Sequence, residues 1–110
     1  MSELSKRKCI PCEDKNMKPL AGGELQDYLD EVIHWNIDFE KKKISREFTF
    51  KNFIEAVDFV NRIADIAEEE NHHPDLKICY NKVTVDLWTH AISGLSANDF
   101  IVASKIDLIA

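Results

Sequence analysis

The chain has 110 residues, a formal net charge of −6 and an apolar fraction of 45%. This length suits one domain that buries its own core, and the acidic balance argues against nonspecific binding to nucleic acid, which needs a basic surface. Residues 1–8 are polar and lack the apolar region of a signal peptide, and no apolar run approaches the ~18 residues of a membrane span. We therefore expect a cytoplasmic protein with no membrane partner and no direct nucleic-acid partner.

The N-terminal part differs in character from the rest of the chain. Residues 1–20 contain prolines and no apolar periodicity, which predicts an irregular arm in front of one domain of residues 21–110. The arm carries Cys9 and Cys12 as a C-x-x-C pair. One such pair is half a zinc site at best, and no second pair follows. We assign the pair no role, and whether the two cysteines form a disulfide stays open.

The first half of the domain predicts a helix followed by a hairpin. Apolar residues within 25–33 recur at i, i+3, i+4, i+7 and i+8, which is one face of a helix. Apolar alternation over 35–39 and again over 44–50 predicts two strands. The charged run 40–43 between them is typical of a solvated hairpin turn.

A second helix follows with clear start and stop signals. Asn52, with Glu55 three residues later, resembles a capping box. The helix should end near Asn71, because Pro74 disfavours helical backbone in the residue before it.

The remaining residues predict a second hairpin and a last helix. Alternation over 76–80 and 83–87 predicts two strands, with Asn81-Lys82 as their two-residue turn. Ser96 is a helix N-cap candidate. The resulting order α-β-β-α-β-β-α predicts an α+β domain whose antiparallel sheet carries helices on one face.

Three of the four histidines fall close together, at His72, His73 and His90. Glu68 lies four residues before His72, so the two side chains can meet if the helix persists that far. Histidine exchanges protons near neutral pH, and the spacing leaves three interpretations open: inert residues, a metal site, or metal-free acid/base chemistry. Metal is disfavoured, because no two of these histidines have i, i+4 spacing and there is no His-Glu-x-x-His motif. His34, outside the cluster, is interpreted as inert.

Other residues that could carry chemistry point to packing instead. Trp35 and Trp88 are interpreted as core or interface residues, and Cys79 as a packed strand residue. The chain has no Walker A, G-x-G-x-x-G or G-x-S-x-G motif, which removes most nucleotide-binding and hydrolase interpretations.

Several separated elements recur in a fixed order: Trp35, Phe48–Phe53, Glu68-x-x-x-His72-His73-Pro74, Tyr80, Thr89-His90, Gly94-Leu95-Ser96 and Asp99. Together they resemble the signature of the pterin-4a-carbinolamine dehydratase family. The resemblance covers roughly residues 20–110.

This resemblance implies a four-stranded antiparallel sheet with helices on one side, and a homodimer or homotetramer. The implied reaction is dehydration of 4a-hydroxytetrahydropterin to quinonoid dihydropterin and water. It recycles the pterin cofactor of aromatic amino acid hydroxylases, to which the chain would be functionally coupled. No metal and no organic cofactor are implied.

The resemblance also implies a role for each site residue. His72 would be the acid at the hydroxyl, with Glu68 positioning it. His90 would be the second acid/base, while His73 would chiefly bind and orient the pterin ring. The implied substrate-binding residues are His73, Thr89 and Asp99.

Two further functions are compatible with the same resemblance. Animal relatives also act as non-enzymatic dimerisation cofactors of a homeodomain transcription factor. A related chain could instead handle a different pterin, as in molybdenum cofactor metabolism. The clustered histidines favour the dehydratase, because a pure binding module does not need them.

Overall fold

The structure is a computed structural model that describes residues 3–9 and 18–110. Its elements follow the predicted α-β-β-α-β-β-α order, with short 3₁₀ helices added at Glu3–Lys6 and His90–Ile92. The helices are α1 (Gly22–Glu31), α2 (Phe53–Glu70) and α3 (Ala97–Ile109), and the strands are β1 (Asn36–Ile37), β2 (Ile44–Thr49), β3 (Asp75–Cys79) and β4 (Lys82–Leu87). The α+β prediction is confirmed.

The four strands form one antiparallel sheet in the order β1-β2-β4-β3. Ile44 pairs with Leu87 and Phe48 with Val83, so apolar side chains of the two central strands share one face. That face is buried beneath the helices, at 5% exposure or less for these four residues. The opposite face is polar, as Ser45 and its partner Asp86 illustrate. The sheet therefore carries its helix layer on one side.

The start and end of α2 agree with the capping prediction. Asn52 Oδ1 accepts a hydrogen bond from Glu55 N at 2.9 Å, while the Glu55 carboxylate accepts from Lys51 N at 3.1 Å rather than from Asn52. The helix ends at Asn71, which adopts left-handed backbone with φ 51° and ψ 42°. Asparagine tolerates this conformation better than most residues.

Helix α3 lies in the centre of the molecule and is buried along most of its length. Its start is a full capping box formed by Ser96 and Asp99. Near its end, Asp107 accepts hydrogen bonds from Trp35 Nε1 at 2.9 Å and from Arg46 at 2.6 Å. Arg46 interrupts the apolar pattern of β2, and this ion pair explains how a charged residue is accommodated on the face towards the helices.

The predicted first strand is too long. Only Asn36–Ile37 pairs with β2, and Phe39 is fully exposed. Lys41 takes positive φ, and Asp38 Oδ1 accepts from two backbone N–H groups of the turn, those of Lys42 and Lys43. These hydrogen bonds to Asp38 start the turn directly after Ile37. The alternating apolar pattern of the sequence therefore extends beyond the residues that pair in the sheet.

The predicted second turn is one residue out of place. Cys79 pairs with Lys82, so the turn residues are Tyr80 and Asn81, with φ 54° at Tyr80. Asn81 Nδ2 donates to Phe50 O at 2.9 Å, which anchors the turn to the end of β2. Cys79 is exposed, so its interpretation as a packed residue is wrong.

The N-terminal arm contributes to the core, which its composition did not predict. Residues Glu3–Lys6 pack against α3, and Leu4 is buried. Cys9 N donates to the Glu70 carboxylate at 2.8 Å, which ties the arm to the end of α2. Cys12, and with it any pairing of the two cysteines, lies outside the described residues. None of the helices in residues 3–9 and 18–110 is long and apolar enough to cross a membrane.

Candidate active site

A surface cavity of about 250 Å³ lies where the end of α2 meets the end of β4. This volume is slightly below the roughly 300–1,000 Å³ of typical small-molecule sites, which suits a small ring system better than a dinucleotide. All three clustered histidines border it; the lining residues are Asn71, His72, His73, Trp88, Thr89, His90 and Ala91.

His72 forms the buried floor of this cavity. Its Nε2 lies 2.6 Å from Asp99 Oδ1, and the two side chains are 7% and 0% exposed. A buried carboxylate at this distance fixes the orientation of the imidazole ring and compensates its charge when the ring is protonated. The carboxylate bonded to His72 thus comes from α3 and not from its own helix.

The other oxygen of Asp99 is held by a chain of hydrogen bonds. Asp99 Oδ2 accepts from Thr89 Oγ1 at 2.8 Å and from Ser96 N at 2.9 Å. Thr89 Oγ1 also lies 2.8 Å from Ser96 Oγ. Because the Thr89 hydroxyl proton is committed to Asp99, Ser96 must be the donor in that pair. The capping box of α3 and the anchor of His72 therefore share one carboxylate.

Thr89 and Asp99 were expected to bind substrate directly, and the structure assigns them a different position. They are 1% and 0% exposed, and their side-chain oxygens are engaged with each other. Asp99 thus reaches the cavity only through His72, as a positioning residue.

Glu68 does not contact His72, so that prediction is wrong. Its Oε2 lies 2.5 Å from His73 Nε2, and both side chains are more than half exposed. The reason is the left-handed backbone at Asn71, which ends the helix before the i, i+4 geometry can reach His72. The adjacent histidines consequently point to different partners, with His72 buried and His73 at the surface.

His90 borders the cavity from the segment that follows β4. It begins the 3₁₀ helix His90–Ile92, and its ring stacks on Trp88 with centroids 3.8 Å apart and planes inclined by 30°. Trp88 Nε1 donates to Asp75 Oδ2 at 3.0 Å. The second hairpin therefore brings His90 beside the histidine pair, as its position after β4 predicted.

A third acid, Glu70, lies just outside the cavity and has a structural role. Burial raises the pKa of its carboxyl, but the hydrogen bond from Cys9 N and the ammonium of Lys105, 3.5 Å away, outweigh burial and hold the pKa below the ordinary value. Glu70 is therefore ionised at neutral pH and links the arm to α2 and α3.

Within the described ranges, no group of three histidine, cysteine or acidic side chains is arranged to hold a metal ion. What the cavity does present is three imidazoles, two of them each bonded to a carboxylate through Nε2. Such a set can donate a proton at one point of a bound ring and accept one at another.

Comparison with known proteins identifies the family. The profile of the pterin 4 alpha carbinolamine dehydratase family matches residues 18–109. The match spans every helix and strand from α1 to α3. The chain belongs to this family.

Individual relatives agree with that assignment. The chain is 43% identical to pterin-4-alpha-carbinolamine dehydratase 2, mitochondrial, of Arabidopsis thaliana, over 97% of this chain and 59% of that protein. It is 40% identical to a Rubrobacter xylanophilus protein that carries the dehydratase name provisionally, over 97% and 98% of the two chains. A crystal structure from Brucella melitensis, described as a transcriptional coactivator/pterin dehydratase, superposes with a TM-score of 0.80 at 33% identity, covering 84% of this chain and 99% of that one.

Three site features had no assignment from sequence reasoning. Asn71 and Ser96 were seen only as helix ends, although each shapes the surroundings of His72. Trp88 was interpreted as a core or interface residue, but it borders the cavity and lies outside the hydrophobic core. Its position two residues before His90 would have indicated a contact between the two rings only if the turn after β4 had been known.

Proposed function

We propose that the chain is a 4a-hydroxytetrahydropterin dehydratase that works by metal-free histidine acid/base catalysis. The observation that carries the proposal is the convergence of three histidines on one cavity, with His72 backed by the buried Asp99 carboxylate. Family membership supplies the substrate class.

The reaction needs two proton transfers. The N5 lone pair forms the N5=C4a double bond as the C4a–O bond breaks, and hydroxide is a poor leaving group at neutral pH. An acid must therefore protonate the departing oxygen, so that it leaves as water, and a base must remove the proton from N5. The net products are quinonoid dihydropterin and water, with both protons accounted for.

We assign the acid to His72 and the base to His90. The carboxylate of Asp99 orients His72 and compensates the positive charge that the ring carries before it donates. His90 borders the same cavity from the end of β4, so a ring bound there can contact both imidazoles. His73, exposed and paired with Glu68, contributes to binding.

We further propose that the product re-enters the pterin cycle of an aromatic amino acid hydroxylase in the cytoplasm, and that the chain acts as a homo-oligomer. What supports this is the family alone.

The test is stopped-flow dehydration of synthetic 4a-hydroxytetrahydropterin by protein that has been exhaustively chelated. We expect full activity without added metal, well above the uncatalysed rate in the same buffer. The matched control is His90→Ala protein carried through the same purification. An inactive chelated protein that zinc restores would contradict the acid/base mechanism.

The same assay separates the rival functions. A dimerisation cofactor without enzymatic activity would give no turnover, and a protein that handles another pterin would turn over this substrate no faster than buffer does. The word coactivator describes the Brucella structure and is not carried over to this chain.

A further inference from the structure

His90 is held differently from the other two histidines of the cavity. His72 and His73 each have Nε2 bonded to a carboxylate. The ring of His90, by contrast, has no hydrogen-bond partner among residues 3–9 and 18–110, and it stacks on Trp88. An exposed side chain without such a contact would sample several rotamers.

The Trp88 indole is itself fixed in place. Its Nε1 donates to Asp75 Oδ2 at 3.0 Å, and Asp75 is the first residue of β3, two positions after His73. Asp75 pairs with Asp86 in the sheet, so the acceptor belongs to regular structure rather than to a loop. On the indole ring, Lys43 Nζ lies 5.9 Å from the centroid, a weak cation–π contact.

We propose that Trp88 is the positioning residue of His90 and that Asp75 locks Trp88 in the required orientation. The inference rests on the proposed function, and it gives Trp88 a role in the reaction. Stacking restrains the imidazole through its face, so neither ring nitrogen is consumed. His90 can then exchange protons through either nitrogen, whereas His72 and His73 each commit Nε2 to a carboxylate.

An aromatic face also suits both protonation states of the ring. A neutral imidazole stacks on indole, and a protonated one is attracted by the negative face of the indole ring. The restraint therefore persists while His90 gains and loses a proton, and it leaves both ring nitrogens available for the transfer.

The first test is independent of catalysis. Stacking at 3.8 Å should move the carbon-bound ring protons of His90 upfield in the NMR spectrum, relative to those of exposed His34. The signals that disappear in His90→Ala identify the ring protons of His90. Trp88→Leu should return them towards the His34 positions, and Trp88→Phe should keep part of the displacement. Unchanged His90 resonances in Trp88→Leu would overturn the proposal.

The second test measures whether the Trp88 and Asp75 variants change kcat or KM. Misplacing a catalytic group by about 1 Å can cost on the order of 100-fold, so Trp88→Leu should lower kcat about 10-fold to 100-fold with little change in KM. Trp88→Phe should recover most of the loss, and Asp75→Asn, whose amide oxygen can still accept the indole hydrogen bond, should cost less than Asp75→Ala.

Tyr80→Leu is the matched control, since it removes an exposed aromatic ring at the other end of the same hairpin. A raised KM with unchanged kcat in Trp88→Leu would make Trp88 a substrate contact and overturn its positioning role. If the wild-type protein shows no dehydration at all, the proposed function fails, while the NMR comparison still decides whether Trp88 holds His90.

Discussion

Asp99 and His72 are 27 residues apart in the sequence, yet Asp99 Oδ1 and His72 Nε2 lie 2.6 Å apart in the buried floor of the cavity. The same carboxylate closes the capping box of α3. One side chain thus serves the start of a helix and the orientation of a histidine.

Replacing Asp99 by Asn should therefore reduce both activity and stability. The amide keeps the size but loses the charge and one of the two acceptor oxygens. We therefore expect kcat to fall by on the order of 100-fold, and the unfolding free energy to fall by about 1 kcal/mol because the hydrogen bonds of the carboxylate are no longer all made. Stopped-flow dehydration and urea unfolding measure the two effects.

Glu55→Gln, which removes the equivalent first-turn acid of α2, is the control: it should affect stability alone. Equal kcat values for Asp99→Asn and wild type would remove Asp99 from the mechanism.

The three histidines should differ in which kinetic constant they affect. His72→Ala and His90→Ala should each lower kcat by about 10²–10⁴-fold, the usual contribution of a general acid or base. His73→Ala should raise KM more than it lowers kcat, because its contribution is to binding. His34→Ala is the control and should match wild type. Folded His72→Ala and His90→Ala proteins that both retain wild-type kcat would refute the assigned mechanism.

Glu68→Gln should have a small effect, confined to binding. Its pair with His73 is exposed on both sides, and exposed pairs are worth about 0–1 kcal/mol, which corresponds to at most about fivefold. We expect KM to rise within that limit and kcat to stay constant. A large fall in kcat would mean that Glu68 acts on a proton-transferring histidine after all.

Self-association should involve the outer edge of β3. No other strand of the described residues pairs with that edge. All five residues of β3 are exposed, and they include Leu76 and Ile78. Exposed edges of this kind pair with other chains unless charge blocks them. Sedimentation at micromolar concentration should show a dimer or tetramer for wild type and a smaller species for Ile78→Lys. Ile33→Lys, at an exposed position before β1, should leave assembly unchanged; a monomeric wild type would contradict the expectation.

The arm should detach from α2 in acid. The pKa of Glu70 is lowered in the folded state from its ordinary value of 4.5, so its ionised form stabilises the fold above that pH. This contribution is lost as the pH falls through the lowered folded-state value. Glu70→Gln should therefore reduce unfolding free energy by roughly 1–2 kcal/mol at pH 7, and the difference from wild type should shrink below about pH 4.5. Glu69→Gln, the exposed neighbour, should show no such difference.

Local spacing predicted the parts of the fold that depend on local physics. The helix start at Asn52, the cap at Ser96 and the alternation of Val83, Val85 and Leu87 each follow from a few neighbouring residues, and each is confirmed. The turn at Tyr80 was misplaced because an asparagine was expected to take the positive φ that a tyrosine takes here.

The site was predictable as a group of residues but not as a set of contacts. The histidines were identified from their clustering, yet the partner of His72 comes from a helix that no local pattern connects to it. The stack of His90 on Trp88 likewise depends on the turn after β4. Contacts between distant elements are set by packing, which spacing does not encode.

The left-handed residue Asn71 makes this short segment intolerant of length changes. It separates two neighbouring histidines so that one is buried and its successor is exposed. Inserting or deleting one residue between Asn71 and β3 would exchange their surroundings, placing the wrong imidazole against Asp99. The interval between α2 and β3 must therefore keep its length to the residue for the cavity to keep its chemistry.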